Sequence, residues 1–263
     1  MSEKFKAPRG TFDALPEQQP LRRRIEETAR TVLERAGYER IETPAFEDTD
    51  LFTRGVGEAT EVVQKQMFTF EDQGGRSLTL RPEGTAAIAR AYLEHGMQKL
   101  PQPVKLWHAG PYWRHERPQA GRFRQFNQIG AEAIGSDSPL VDAELIVAAW
   151  DIVGELGVEG VELRLGSLGS LQARAAYLEE LRDYLRAHED ELAQEVRERI
   201  ELNPLRAFDS ADEGTQRTME GAPRLLDRLG AEDAAHFEQV RGLLDRAGVA
   251  YEIDPTMVRG LDY

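Results

Sequence analysis

Arg114-His115-Glu116-Arg117-Pro118-Gln119-Ala120-Gly121-Arg122-Phe123-Arg124-Gln125-Phe126-Asn127-Gln128 sets four arginines around a Pro/Gly reversal. The segment before it, Val104 to Trp113, is rich in aromatic residues, and the one after it, Phe123 to Ile134, also has strand character. The stretch Pro118-Gln119-Ala120-Gly121 is the natural turn between them, so the reading is a β-hairpin. A period of two along the second strand puts Arg122, Arg124, Phe126, Gln128, Gly130 and Glu132 on one face. That face is mostly polar where a packed sheet is apolar. Two interpretations stand side by side: a solvated hairpin with its charges in water, or a cradle for polyphosphate, which the planar, permanently charged guanidinium binds through paired hydrogen bonds. Gly130 favours close approach of a ligand or another backbone, because it removes side-chain bulk from the strand face.

This segment resembles the second signature motif of class II aminoacyl-tRNA synthetases, and its Arg-His-Glu-Arg-Pro-Gln form is similar to the histidyl-tRNA synthetase family. Other segments resemble that family in the same order. They are Ala7-Pro8-Arg9-Gly10-Thr11, Gly37-Tyr38 through Thr43-Pro44 (the first motif), Leu80-Arg81-Pro82-Glu83-Gly84-Thr85 (the amino-acid segment) and Val258-Arg259-Gly260-Leu261-Asp262-Tyr263. The resemblance covers essentially the whole chain, and the Arg259 to Tyr263 element is its most specific part.

Composition bounds the answer without choosing it. The 263 residues are enough for a sizeable core and for one large domain or one domain with an insertion. The net charge of -14 gives no long-range attraction to nucleic acid, so such a contact needs a local basic patch. With no cysteine, disulfides and thiolate metal sites are excluded, and the five histidines lack metal-ligand spacing. No protein-bound metal is expected. The first ten residues lack an apolar run, and no later stretch approaches the roughly 20 apolar residues that span a bilayer. A soluble, cytoplasmic protein is the expectation.

Periodicity predicts a helix from about Leu21 to Ala36, stopped by Gly37, and a strand around Arg40 to Thr43. A loop carrying Arg54-Gly55-Val56-Gly57 follows, then a hairpin of Met67 to Glu71 and Ser77 to Arg81 around Gln73-Gly74-Gly75. Glu83 falls where that strand gives way to a helix from Thr85 to His95. Ser138-Pro139 opens a helix to about Leu156, with serine as N-cap and proline at the first helical position. Val161 to Leu165 is a strand. Beyond Gly169 the pattern turns helical, with amphipathic stretches at Leu171 to Arg199 and Ala231 to Ala247, and strand character returns at Val249 to Ile253.

The expected fold class is α+β, a class II synthetase-like, mainly antiparallel sheet flanked by helices, with a helical insertion. In domains, residues 1–169 form the first part of the catalytic core, 170–248 the helical insertion and 249–263 the return to the core. From pattern alone the insertion serves equally as a packing subdomain, whereas the resemblance places it near the acceptor stem of tRNA. The family's third motif and its anticodon-binding domain are not in this sequence. A truncated core with an exposed sheet edge is therefore expected.

The resemblance implies histidine-tRNA ligase activity: ATP-dependent activation of L-histidine, then transfer to tRNA(His), by a homodimer joined around Gly37 to Pro44, with magnesium accompanying ATP. It assigns catalysis to Arg114 and Arg259, and ATP binding to Arg114, Glu116 and Arg122. Histidine falls to Glu83, Gly84, Thr85, Gln128, Glu132, Arg259 and Tyr263. Read without the family, Glu83 is a carboxylate at a helix N-terminus, Thr85 a cap or a ligand, Arg124 a structural residue, and Arg259 a surface arginine. Gln128 and Glu132 suit an imidazole, because a carboxylate that accepts a ring N–H fixes its tautomer. Two alternatives remain. One is a non-catalytic, histidine-sensing regulatory subunit of ATP phosphoribosyltransferase, which has no need of the hairpin arginines. The other is an inactive synthetase-derived binding fragment.

Overall fold

The computed structural model describes residues 5–56, 66–116 and 121–257. It divides into two compact units, one running through Glu159 and the next starting at Gly160.

The first unit opens with helix α1 (Gln19–Arg35), whose apolar face buries Ala29, Val32 and Leu33. Gly37, at φ 84°, releases the chain into the short strand β1 (Glu39–Arg40). The strand expected to reach Thr43 stops at Arg40, and the carbonyl of Thr43 instead accepts from the Arg81 guanidinium at 2.8 Å. β2 (Phe46–Asp48) leads into helix α2 (Thr49–Val56), where a loop was expected. The side chain of Asp48 accepts from the Asp50 N–H at 3.1 Å, a cap that starts the helix, and Phe52 is fully buried. The Gly57 end of that predicted loop lies outside the described residues.

β3 (Phe68–Glu71) and β4 (Ser77–Leu80) form the predicted antiparallel hairpin. Its turn is held by Asp72, which accepts from the N–H groups of Gly74 and Arg76 at 2.8 and 2.9 Å. β2 pairs on the other side of β4, giving a sheet of order β2-β4-β3. Helix α3 (Thr85–Glu94) follows within five residues of β4.

β5 (Val104–Trp113) and β6 (Gln125–Ile134) are ten-residue antiparallel strands in continuous register, with β1 parallel to β5 at the edge. β5 keeps the predicted limits. β6 begins two residues later than expected, because the Arg124 N–H turns away to the carbonyl of Gly10 at 2.7 Å. One face of this hairpin is core: Trp107, Ala109, Ile129, Ala131 and Ala133 pack with Val32, Leu33 and Tyr38 and with Ala148 of helix α4 (Pro139–Glu155). Ser138 caps α4 through its hydroxyl, with Pro139 at the first position as the sequence required.

Among its described residues the second unit holds β7 (Arg164–Leu165) and β8 (Glu252–Ile253), paired in parallel, and four α-helices. Both strands are shorter than their sequence patterns. α5 (Leu171–Ala187) buries Tyr177, Leu181 and Leu185 at four-residue spacing. The single helix expected from Leu171 to Arg199 breaks after Ala187. Glu189, Asp190 and Glu191 leave the α-helical path directly after the C-cap His188. They form a separate 3-10 turn, buried Leu192 follows, and α6 (Gln194–Arg197) starts anew. α7 (Glu213–Glu220) is capped by Asp212, and α8 (Ala231–Ala247) ends at Gly248 with φ 71°. Around α5 the core gathers Val196, Ile200, Leu205, Met219 and Leu225.

Candidate active site

The second face of the β5–β6 hairpin carries Leu106, His108, Gly110 and Tyr112, directly opposite Glu132, Gly130, Gln128 and Phe126. The end of β4 and the start of α3 close over it. The chain leaves β4 at Leu80, and the Arg81 carbonyl accepts from the Trp113 N–H at 3.1 Å, which ties this corner to the end of β5. Pro82, Glu83 and Gly84 then bring the chain to the N-terminus of α3.

Glu83 is buried, and its carboxylate accepts from the N–H groups of Thr85 and Ala86 at 2.6 and 3.0 Å. Those donors have no partner within the helix, and the helix dipole favours the negative charge there. Thr85 turns the other way. Its hydroxyl donates to Glu132 Oε1 at 2.8 Å, joining the helix start to β6. Burial pushes the Glu132 carboxyl above its usual range, the Thr85 hydrogen bond opposes this, and the charge of Glu83 adds to the rise. Two carboxylates are thus set close enough to feel each other, linked through one threonine.

Three residues that the sequence reading did not single out complete this face. Arg81 is buried and held by main-chain carbonyl groups: its Nε donates to Pro111 and its Nη1 to Thr43. The Tyr112 ring lies 4.7 Å from the guanidinium, and the Tyr112 hydroxyl is 2.7 Å from His108 Nδ1. Burial, and then the nearby Arg81 charge, pull the His108 pKa down to about 4, so the ring is neutral at pH 7. The signal was present as glycine. A Cβ at Gly84 would fall 2.6 Å from His108 Cε1, one at Gly110 2.6 Å from Arg81 Nη2, and one at Gly130 2.4 Å from His108 Nε2. What comes close to Gly130 is therefore the protein's own imidazole.

At the turn end of the hairpin, Arg114 donates from Nε to the Pro82 carbonyl at 2.9 Å, and its guanidinium sits 5.4 Å from the centre of the Phe126 ring. Among the described residues no carboxylate pairs with it. Arg122 is largely exposed and lies 3.6 Å from the Glu116 carboxylate. Arg124 packs its side chain against Gly10 and donates from Nε to the Glu116 carbonyl at 3.3 Å, a structural role. Gln128 sits opposite Gly110, on the same face as Glu132. The structure thus brings together Glu83, Gly84, Thr85 and Glu132, with Gln128 two and four residues along the strand from Gly130 and Glu132. Arg114 joins them through Pro82. Gly121 ends the reversal with φ 80°, while residues 117–120 of the turn, Arg259 and Tyr263 lie outside the described residues. Among the described residues there is no group of three or more His, Asp or Glu side chains arranged to hold a metal ion.

Mainly antiparallel strands, with α1 and α4 on one face of the β5–β6 hairpin and polar side chains on the other, make a fold of the class II aminoacyl-tRNA synthetase type. The sequence matches the family description "Histidyl-tRNA synthetase" over residues 10–263. It is 51% identical over 259 residues to a histidine--tRNA ligase of Thermosynechococcus vestitus, covering 98% of this chain and 60% of that one. To the histidine--tRNA ligase of Thermus thermophilus it is 50% identical over 260 residues, covering 98% and 62%. The crystal structure of the apo histidyl-tRNA synthetase of S. aureus superposes with a TM-score of 0.77 at 39% identity, covering 99% of this chain and 59% of that one. A structure described as an ATP phosphoribosyltransferase regulatory subunit/histidyl-tRNA synthetase from Bacillus halodurans, at 22% identity and a TM-score of 0.70, shares the fold. It covers 98% of this chain and 70% of that one. The chain belongs to the histidyl-tRNA synthetase family, and spans about 60% of the length of the curated relatives it matches.

Proposed function

We propose that this chain carries the amino-acid-activating site of a histidine-tRNA ligase: it binds L-histidine and ATP, forms histidyl-adenylate and passes the histidyl group to tRNA(His). The observation that carries this reading is the Glu83–Thr85–Glu132 linkage beneath a hairpin that holds Arg114 free of any described carboxylate partner. Activation needs the substrate carboxylate to attack the α-phosphorus as pyrophosphate leaves, so the protein must mainly orient reactants and neutralise charge. Glu83 takes the α-ammonium group, with Gly84 and Thr85 beside it. Glu132 and Gln128 take the imidazole, Glu132 as an acceptor next to Thr85. Arg114 and Arg259 face the α-phosphate, Arg122 and Glu116 the rest of ATP, and Tyr263 borders the histidine subsite.

Arg114 suits its role because the Pro82 carbonyl and the Phe126 ring fix it before the ligand arrives, so little reorganisation is left for the transition state. Magnesium would enter with ATP and help neutralise its phosphates. The same reading makes residues 1–169 the first part of a catalytic core, 170–248 an insertion that meets tRNA(His), and 249–263 the return to the core. It also gives a homodimer joined around Gly37 to Pro44, working in the cytoplasm. Among the described residues no helix is long and apolar enough to cross a membrane.

The test is histidine-dependent ATP–pyrophosphate exchange by the purified chain, with Arg259→Ala and Glu132→Gln beside it. Exchange specific to histidine, lost in the first variant and less selective in the second, supports the reading. Histidine binding without exchange sinks it in favour of a histidine-sensing regulatory subunit, and the absence of both leaves a synthetase-derived binding fragment.

A further inference from the structure

Beneath the subsite assigned to the substrate imidazole, the molecule places an imidazole of its own. His108 lies directly opposite Gly130, and therefore diagonal to both Gln128 and Glu132 on the same face of the sheet. Its ring fills the space that side chains at Gly84 and Gly130 would need. Its Nδ1 is fixed on the Tyr112 hydroxyl, and Tyr112 rests on Arg81, itself pinned by two main-chain carbonyls. The ring is buried and has little freedom to withdraw.

We propose that His108 is a specificity-determining residue of the amino-acid subsite, its fixed ring setting the depth available to a substrate ring held between Gln128 and Glu132. The proposal rests on the histidine-binding reading above and deepens it. The charge state is part of the design. A neutral ring brings no positive charge to compete with a ligand for the Glu132 carboxyl group. Burial first, and then the Arg81 charge, lower the His108 pKa and keep the ring neutral.

The experiment is calorimetric binding of L-histidine and of ring-methylated histidine to the full chain and to His108→Ala, His108→Asn and Gly130→Ala, each checked for folding by circular dichroism. One methyl group in a shaped pocket discriminates by about 10- to 200-fold, so the wild-type chain is expected to reject the methylated ligand within that range. In His108→Ala the ratio of the two dissociation constants should fall at least about tenfold, because the floor is removed. His108→Asn should fall between the two, and it reads the same quantity if the alanine variant does not fold. Gly130→Ala should weaken histidine binding without relaxing the ratio, since its Cβ drives the ring into the site. An unchanged ratio in the folded His108 variants, with histidine still bound by the wild type, overturns this proposal and leaves the histidine-binding reading standing. A wild-type chain that binds no histidine overturns both.

Discussion

The two faces of the β5–β6 hairpin are made by the same twenty residues and obey opposite rules. On one face Trp107, Ala109, Ile129, Ala131 and Ala133 meet α1 and α4 in an apolar layer. On the other, buried or half-buried polar groups stand where packing alone would place leucine: His108, Tyr112, Gln128 and Glu132, with Arg81, Glu83 and Thr85 closing over them. Polar burial costs free energy unless each group is satisfied. Here satisfaction comes from main-chain partners and from glycine-made space. The helical unit shows the contrast again, since its buried polar residues are hydroxyls spent on local work. Thr215, for example, receives the Ala193 N–H and donates to the Asp212 cap. The polar face depends on specific partners for each buried group, whereas the apolar face depends only on packed volume.

Breaking the apolar face should cost the most. Leu33→Ala is expected to lower the unfolding free energy by about 2–5 kcal/mol in urea titration, with the histidine affinity of the remaining folded protein unchanged. A comparable loss of histidine binding would show that the two faces are not separable. Arg114→Ala, on the polar side, is expected to slow adenylation about 100- to 1,000-fold, while global stability stays within experimental scatter. A large stability loss there would recast Arg114 as a structural clamp on Pro82.

The pH dependence of stability sharpens the contrast further. His108 binds no proton in the folded state between about pH 4 and its unfolded value of 6.5, whereas the unfolded chain does. The slope of unfolding free energy with pH is therefore positive across that window: its share of stability is full above pH 6.5 and is lost as pH falls toward 4. The share is up to about 3 kcal/mol, from the size of the shift. Glu132, raised by burial, acts in the opposite sense, so the informative quantity is the difference between the wild type and His108→Asn at pH 7 and pH 4.5. Equal pH slopes in the two proteins would remove His108 from the account. The smallest expected effect is that of Thr85→Val, which deletes the hydroxyl that donates to Glu132. Histidine affinity should fall about tenfold, the worth of one hydrogen bond to a charged group, and unchanged affinity would separate α3 from the ligand site.

Local signals carried much of this structure. β5 kept both of its predicted ends, α4 began at its Ser-Pro cap, and the Asp72 to Gly75 turn formed where the glycines put it. The order Glu83, Gly84, Thr85 at the mouth of a helix was legible for the same reason. Beyond Ala187 hydrophobic period alone overran the real helix end, because Leu192 and Val196 go on burying apolar side chains after the helix has broken.

The sequence by itself determined the family, the hairpin and most of the residues that line it, because strand alternation, caps and turns depend on neighbours a few positions apart. Only the tertiary structure decided that Thr85 reaches Glu132 across 47 residues, that Arg81 stands under Tyr112, and that the space left by Gly130 belongs to His108. Those contacts join chain segments with no shared period. Their existence depends on how α3 and β4 close over one face of the sheet, which no local rule specifies.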